Sequence, residues 1–144
     1  MIVLSQDCDL AQDYQARFRV PHGESPTPES HPNLLPHLLL CDLFQEEEIH
    51  GRISGSDLWK RIKQNQDERY HRLPRAPIEG VEGTGGELPD LFIDFKKTLG
   101  LPTMQLYEAL RSETVCRRAV VPAFYLHDLI HRFFGFHSRV AVPD

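Results

Sequence analysis

The sequence predicts an α+β domain with a small, strongly bent, mostly antiparallel sheet and helices packed on one side. Several short apolar runs are bounded by turn-forming residues, which is typical of short strands. Other segments repeat their apolar residues at helical spacing, and the longest of these, 123–137, lies near the C-terminus. Few helices interspersed with short strands favour an α+β arrangement over a parallel α/β one.

The predicted strands are short, and different sequence signals identify them. The run Ile2-Val3-Leu4 combines strand-forming side chains, and the 70–73 segment alternates before Pro74 stops it. The clearest buried strand is 91–95, with the sequence Leu-Phe-Ile-Asp-Phe. In chain order, the predicted strands are 2–5, 38–43, 70–73, 91–95 and 117–121.

Three helices are predicted after the second strand. Ser56 and Asp57 begin an amphipathic helix that ends near Gln64, with basic residues late in the segment. A second helix begins at Pro102 or Thr103 and runs to residue 111. The third is the long C-terminal helix 123–137, whose predicted apolar face carries Leu126, Leu129, Ile130, Phe133 and Phe134.

The chain of 144 residues fits a single domain, 1–144, that is large enough to bury a core. Two stretches rich in proline and glycine, 21–36 and 75–89, are predicted to be flexible loops because they cannot hold a helix or a central strand. The formal net charge of -5 gives no global basic field that would attract nucleic acid. Three widely spaced cysteines and the lack of a long apolar run predict a cytoplasmic protein without membrane association.

The first strand leads into Asp7-Cys8-Asp9, where a thiol lies between two carboxylates. A loop at the end of a buried strand is a common place for a site. Flanking carboxylates oppose thiolate formation, so the structural alternative has the aspartates capping a turn and Cys8 buried. If the protein is an enzyme, the predicted catalytic residues are Cys8 as nucleophile, His71 as base, Asp7 or Asp9 as orienter, and Arg69 or Arg118 as anion-stabilising group.

Metal and cofactor sites are not predicted. His127 and His131 lie four residues apart, as in the H-E-x-x-H zinc motif, but Asp128 replaces the glutamate and no third ligand follows at a diagnostic spacing. The two histidines are therefore interpreted as part of a polar helix face.

Basic and aromatic residues recur on several predicted strands. On a small sheet they would converge into a patch for an anionic ligand, with Tyr70 stacking on a base. The alternative is a solvated surface that balances the acidic run Glu46-Glu47-Glu48. The predicted nucleic-acid-binding residues are Arg69, Tyr70, Arg72, Lys96, Arg117 and Arg118.

The C-terminal helix carries more aromatic residues than a small core needs. Part of this set is expected to form an interface, because exposed aromatic surface is common where proteins meet. We therefore expect a homo-oligomer. The residues concerned are Phe124, Tyr125, Phe133, Phe134 and Phe136.

The order of elements and the string Val3-Leu4-Ser5 resemble the MazF/PemK toxin family, which implies an SH3-like barrel followed by a long C-terminal helix. The strings Ser5-Gln6-Asp7-Cys8-Asp9-Leu10 and Ile93-Asp94-Phe95-Lys96 are similar to a group of uncharacterised bacterial proteins, some encoded beside defence or mobile-element genes. The ribonuclease activity of the toxin family uses a hydroxyl that Cys41-Asp42 replaces here.

The function expected from the sequence is a binding component of a bacterial defence or toxin–antitoxin-type system. Its expected partners are RNA or DNA, a protein from the same operon, and further copies of the chain. The alternative is an enzyme, either a MazF-like endoribonuclease with altered catalytic residues or a Cys/His-dependent hydrolase.

Overall fold

A computed structural model describes residues 1–5, 7–19, 31–77, 86–117, 119 and 121–138. The strands are β1 (Ile2–Val3), β2 (His37–Phe44), β3 (Tyr70–Leu73), β4 (Ala76–Pro77), β5 (Glu87–Leu88) and β6 (Leu91–Pro102). The helices are α1 (Asp7–Phe18), α2 (Glu46–His50), α3 (Ser56–Lys63), α4 (Thr103–Arg111) and α5 (Ala123–His137). No helix of this described part is both long and apolar enough to cross a membrane.

The predicted α+β class is confirmed, with a strongly curled antiparallel sheet and a C-terminal helix. The four-stranded sheet has the order β1-β2-β6-β3, and β4 and β5 form a separate antiparallel pair. β3 and β6 pair with Tyr70 opposite Asp94 and Arg72 opposite Phe92. Directly opposite residues share a face of the sheet, so this register decides which side chains enter the core.

Several boundaries differ from the sequence-based predictions. Residues 7–18 form α1 instead of a loop, because aspartates in a first turn favour a helix as readily as they favour a turn. β6 continues past Phe95 to Pro102, since apolar residues mark only the buried part of a strand. The described residues of 117–121 are not in a strand. Gly55, with a φ of 112°, precedes α3 in the place where Ser56 was expected as the cap.

The two predicted loops are only partly described. Residues 31–36 contain a turn closed by the Leu34 N–H on the His31 carbonyl oxygen, at 3.1 Å. The range 75–89 was expected to be loop throughout, yet its described ends carry β4 and β5. Residues 20–30 and 78–85 lie outside the described part of the chain.

The chain divides into two compact units. The first contains Met1, Cys41–Thr98 and Arg117–Asp144. In it, one core cluster combines Tyr70 and Phe92 of the sheet with Ile49 of α2 and Ile62 of α3. The alternate residues of β3 and β6 pack toward α5, where the Phe95 ring lies 5.7 Å from that of Phe133. The sheet in this unit is therefore covered by α2 and α3 on one face and by α5 on the other.

The second unit contains Ile2–Leu40 and Leu99–Cys116. Asp13 of α1 is fully buried and accepts hydrogen bonds from the Arg17 side chain and from the Leu35 N–H, at 2.7 Å. Arg17 also donates to the Leu35 carbonyl oxygen at 2.9 Å. The Tyr107 hydroxyl of α4 lies nearby, and its burial together with Asp13 raises the pKa of Tyr107 to about 12. This buried cluster attaches α1 to the segment before β2.

Candidate functional site

Arg69 immediately precedes β3, and the sheet register sets its guanidinium against Asp94 of β6. Arg69 Nε donates to Asp94 Oδ1 at 2.7 Å, and Nη2 donates to Oδ2 at 2.5 Å. The Lys96 N–H adds a third hydrogen bond to the same carboxylate at 3.1 Å. The guanidinium also lies 4.8 Å from the centre of the Tyr70 ring. Arg69 is thus committed to internal contacts.

The electrostatics of this pair agree with its geometry. Burial alone would raise the pKa of Asp94, but the hydrogen bonds from Arg69 and Lys96 hold it below its ordinary value. The hydrogen bond to Asp94 likewise raises the pKa of Arg69. An incoming phosphate would therefore have to compete with a carboxylate that is only 1% exposed and depends on this guanidinium.

Arg72 makes a second internal ion pair. Its Nε and Nη2 donate to Asp90 Oδ2 at 2.9 and 2.7 Å, and the Arg75 N–H donates to the other oxygen of that carboxylate. The Asn65 side chain pairs with both backbone groups of Arg72, at 2.6 and 3.0 Å. Arg72 therefore stabilises the turns at the ends of β3.

The remaining residues of the predicted basic patch differ in exposure. Tyr70 is 5% exposed and packs in the core, so its ring is not available on the surface to stack on a base. The side chains of Lys96 and Arg117 are exposed, and Arg118 lies outside the described residues. Of the predicted nucleic-acid surface, the structure brings together Arg69 and Tyr70, but in an internal contact.

His71, the predicted general base, is 1% exposed on β3. Its Nδ1 lies 3.9 Å from Asp128 Oδ2 and has no hydrogen-bond partner among the described residues. Burial, reinforced by the Arg132 charge and opposed by Asp128, lowers the pKa of His71 to about 4. A neutral imidazole at this position can accept a proton only from a group that reaches the interior.

The predicted nucleophile lies in the other unit. Cys8 is exposed in the first turn of α1, and its Sγ is 3.7 Å from Asp9 Oδ1. The Asp7 side chain lies outside what the structure describes, although its backbone begins α1. Cys8 is therefore neither buried in the core nor placed in a loop. The thiol of Cys41 is buried, and burial raises its pKa to about 11, which keeps it protonated.

Arg132 of α5 has a structural role that the sequence did not indicate. Its guanidinium donates to the backbone carbonyl oxygens of Asn65, Asp67 and Tyr70. Burial lowers the pKa of Arg132, while Asp128 and Asp67 oppose that shift. One groove along α5 is lined by Arg132 together with Asp67, and a second is lined by His131 and Phe134; neither is lined by a predicted catalytic residue.

The outward face of α5 carries four exposed residues that we call the outer stripe: Phe124, His127, His131 and Phe134. Phe124 is 80% exposed and Phe134 is 59% exposed, whereas Leu129 on the opposite face is fully buried. Phe133 and Phe134 were both predicted on the core face: this is confirmed for Phe133, which is 6% exposed, and wrong for Phe134. Tyr125 is also exposed, at 42%, on the flank of the stripe.

Metal ligands do not cluster within the part of the chain that the structure describes: no group of three or more His, Cys, Asp or Glu side chains is placed to hold an ion. His127 and His131 are two such side chains, one fewer than a group of this kind needs.

Comparisons with protein-family models, with curated proteins and with solved structures find no match to this chain.

Proposed function

We propose that the protein is a non-catalytic interaction component of a bacterial defence or toxin–antitoxin-type system, and that it binds a protein through the outer stripe of α5. The observation that carries this proposal is the exposure of Phe124 and Phe134 on one helix face. Large exposed aromatic residues are enriched at protein–protein interfaces and dominate their binding energy. The bacterial setting rests on the sequence resemblance alone.

The charged residues favour protein binding over nucleic-acid binding. Arg69 and Arg72 each hold a carboxylate within the fold, so neither is available to neutralise a phosphate without breaking an ion pair. The net charge of -5 adds repulsion from a polyanion. A surface for RNA would need basic side chains that are not already paired.

The placement of the predicted catalytic residues favours binding over catalysis. Cys8 is exposed on α1, whereas His71 is 1% exposed within the sheet, and neither is shown in contact with the other's functional atoms among the described residues. A nucleophile and its base must come within hydrogen-bonding distance of each other. The enzymatic alternative is therefore kept as a second proposal. Its test compares the cleavage of single-stranded RNA by the wild type and by a Cys8→Ala variant.

The test uses the whole chain, co-expressed with the products of its neighbouring genes and alone. We expect an assembly whose mass, measured by light scattering after gel filtration, falls when Phe124 and Phe134 are both changed to serine. Tyr14→Ser is the matched control, because Tyr14 is an aromatic residue of the other unit with 48% exposure. This control is expected to leave the assembly unchanged.

Two results would contradict the proposal. One is an identical mass for the wild type and the double serine variant under every condition. The other is cleavage of single-stranded RNA by the wild type that is lost in Cys8→Ala, which would establish the enzymatic alternative instead. Tight, saturable RNA binding that depends on Arg69 or Arg72 would favour the nucleic-acid function.

A further inference from the structure

We infer that the protein bound by the outer stripe is a second copy of this chain, packed antiparallel along α5, and that the interface binds a zinc-type divalent ion. The ligands would be His127 and His131 of both copies. This inference rests on the proposed function, since it names the partner of the same helix face. It assigns a role to His127 and His131, which are both exposed on α5.

The outer stripe is symmetric about Leu129. Phe124 and Phe134 lie equally far before and after Leu129, and so do His127 and His131. In a two-fold symmetric interface, each residue of one copy meets the symmetry-related position of the other. An antiparallel pair of α5 helices centred at Leu129 would therefore set Phe124 against Phe134 of the second copy, and His127 against His131.

The stripe is narrow enough to act as one contact line. With 3.6 residues per turn, its four residues fall within an arc of about 80°. Leu129 is fully buried on the opposite face of α5, so this arc points away from the core of its own unit. The distance along the axis from Phe124 to Phe134 is about 15 Å. In the antiparallel pair, an aromatic contact would lie at each end of this line, and the histidines would lie between them.

The chemistry of the central residues indicates the ligand. Histidines four residues apart lie on the same helix face and can bind one ion together. A structural zinc site has four ligands in tetrahedral geometry, and this face of a single chain supplies two. Among the described residues no larger cluster is available. A symmetric second copy supplies the missing two imidazoles.

The lack of charged side chains in the outer stripe is also compatible with a second copy as partner. The four residues of the outer stripe include no lysine, arginine, aspartate or glutamate, although the whole chain has a net charge of -5. Two copies can therefore meet along this line without opposing like charges at the contact. A copy of the same chain uses the symmetry of this pattern, because each residue of a two-fold interface meets the symmetry-related position of the other copy.

The experiment uses the full chain with its purification tag removed and its metal stripped by a chelator. Zinc chloride is then added, while sedimentation velocity measures the mass and titration calorimetry measures the stoichiometry. We expect a monomer to become a dimer with one zinc ion per two chains. His127→Ala and His131→Ala are expected to weaken zinc binding at least 10-fold and to prevent the change in mass. His37→Ala, an exposed histidine on β2, is the matched control.

Each alternative outcome decides between the two proposals. A metal-independent dimer that is lost only in the double serine variant would overturn the zinc site and keep the proposed function. Zinc binding by a chain that stays monomeric would overturn the second copy as partner. A monomer that binds a different protein through the stripe would overturn this inference alone. No change in mass with any partner or metal would overturn both.

Discussion

Among the described residues, each compact unit buries one aspartate and pairs it with an arginine, but the two pairs are built differently. Asp13 pairs with Arg17 one helical turn away, and the Arg17 side chain is 11% exposed. Asp94 pairs with Arg69 across the β3–β6 register, and the Arg69 side chain is 39% exposed. Both carboxylates also accept one backbone N–H. The comparison shows that charged residues which resemble site residues can serve the fold alone.

The more buried pair should contribute more to stability when one partner is removed. Arg17→Leu would leave the fully buried Asp13 without its charged partner and the Leu35 carbonyl oxygen without its donor. We expect a loss of about 4 kcal/mol in the free energy of unfolding. Urea denaturation followed by far-ultraviolet circular dichroism, which reports on both units, measures this change.

Arg19→Leu is the control for this measurement, because Arg19 is exposed just beyond α1. Its expected effect is within about 0.5 kcal/mol. If Arg17→Leu costs no more than this control, the pair does not stabilise its unit. The variant that combines Arg17→Leu with Asp13→Asn should recover part of the loss, since the remaining side chain is then uncharged.

Arg69→Leu should cost less, about 3 kcal/mol, because water already reaches part of this guanidinium and screens the exposed side of the pair. The same unfolding measurement gives the value. Arg75→Leu is the control, since Arg75 makes a surface ion pair with Glu87 at 3.9 Å and should change stability by about 0.5 kcal/mol or less. A larger loss for Arg69→Leu than for Arg17→Leu would show that burial does not rank the two pairs.

The two pairs also show what could be predicted from the sequence. The i,i+4 spacing of Asp13 and Arg17 is a local signal, although it becomes visible only once 7–18 is recognised as a helix. The partnership of Arg69 with Asp94 depends on strand register, which the sequence pattern did not specify. Arg69 was predicted as a site residue because it lies in a basic and aromatic string, and the sequence did not identify Asp94 as its partner.

Periodicity predicted most of the elements but not the orientation of every side chain. The strand at 70–73 and the helix at 123–137 have the predicted bounds. Tyr70 was expected on a surface because basic residues flank it, yet strand alternation turns it into the core cluster. Phe133 and Phe134 both fit an apolar pattern, and only the packing of α5 on the sheet decides that Phe133 is the buried one.

His71 extends the comparison, because it is a buried titratable group whose Nδ1 has no hydrogen-bond partner among the described residues. Asp94 accepts hydrogen bonds from three donors, whereas Nδ1 of His71 lies 3.9 Å from the Asp128 carboxylate and is affected by the charge of Arg132. Its pKa falls from the ordinary 6.5 to about 4 in the folded protein. Between these two pH values the unfolded chain binds a proton that the folded chain does not, so acid favours unfolding.

Lowering the pH from about 7 to about 5 should therefore remove about 2 kcal/mol of stability through His71 alone. The measurement is urea denaturation of the wild type and of His71→Gln at a series of pH values. Glutamine has a similar size and no proton to gain, so the variant should lose this part of the pH dependence even if its stability at neutral pH is lower. Parallel curves for the two proteins would show that His71 is not the group that titrates.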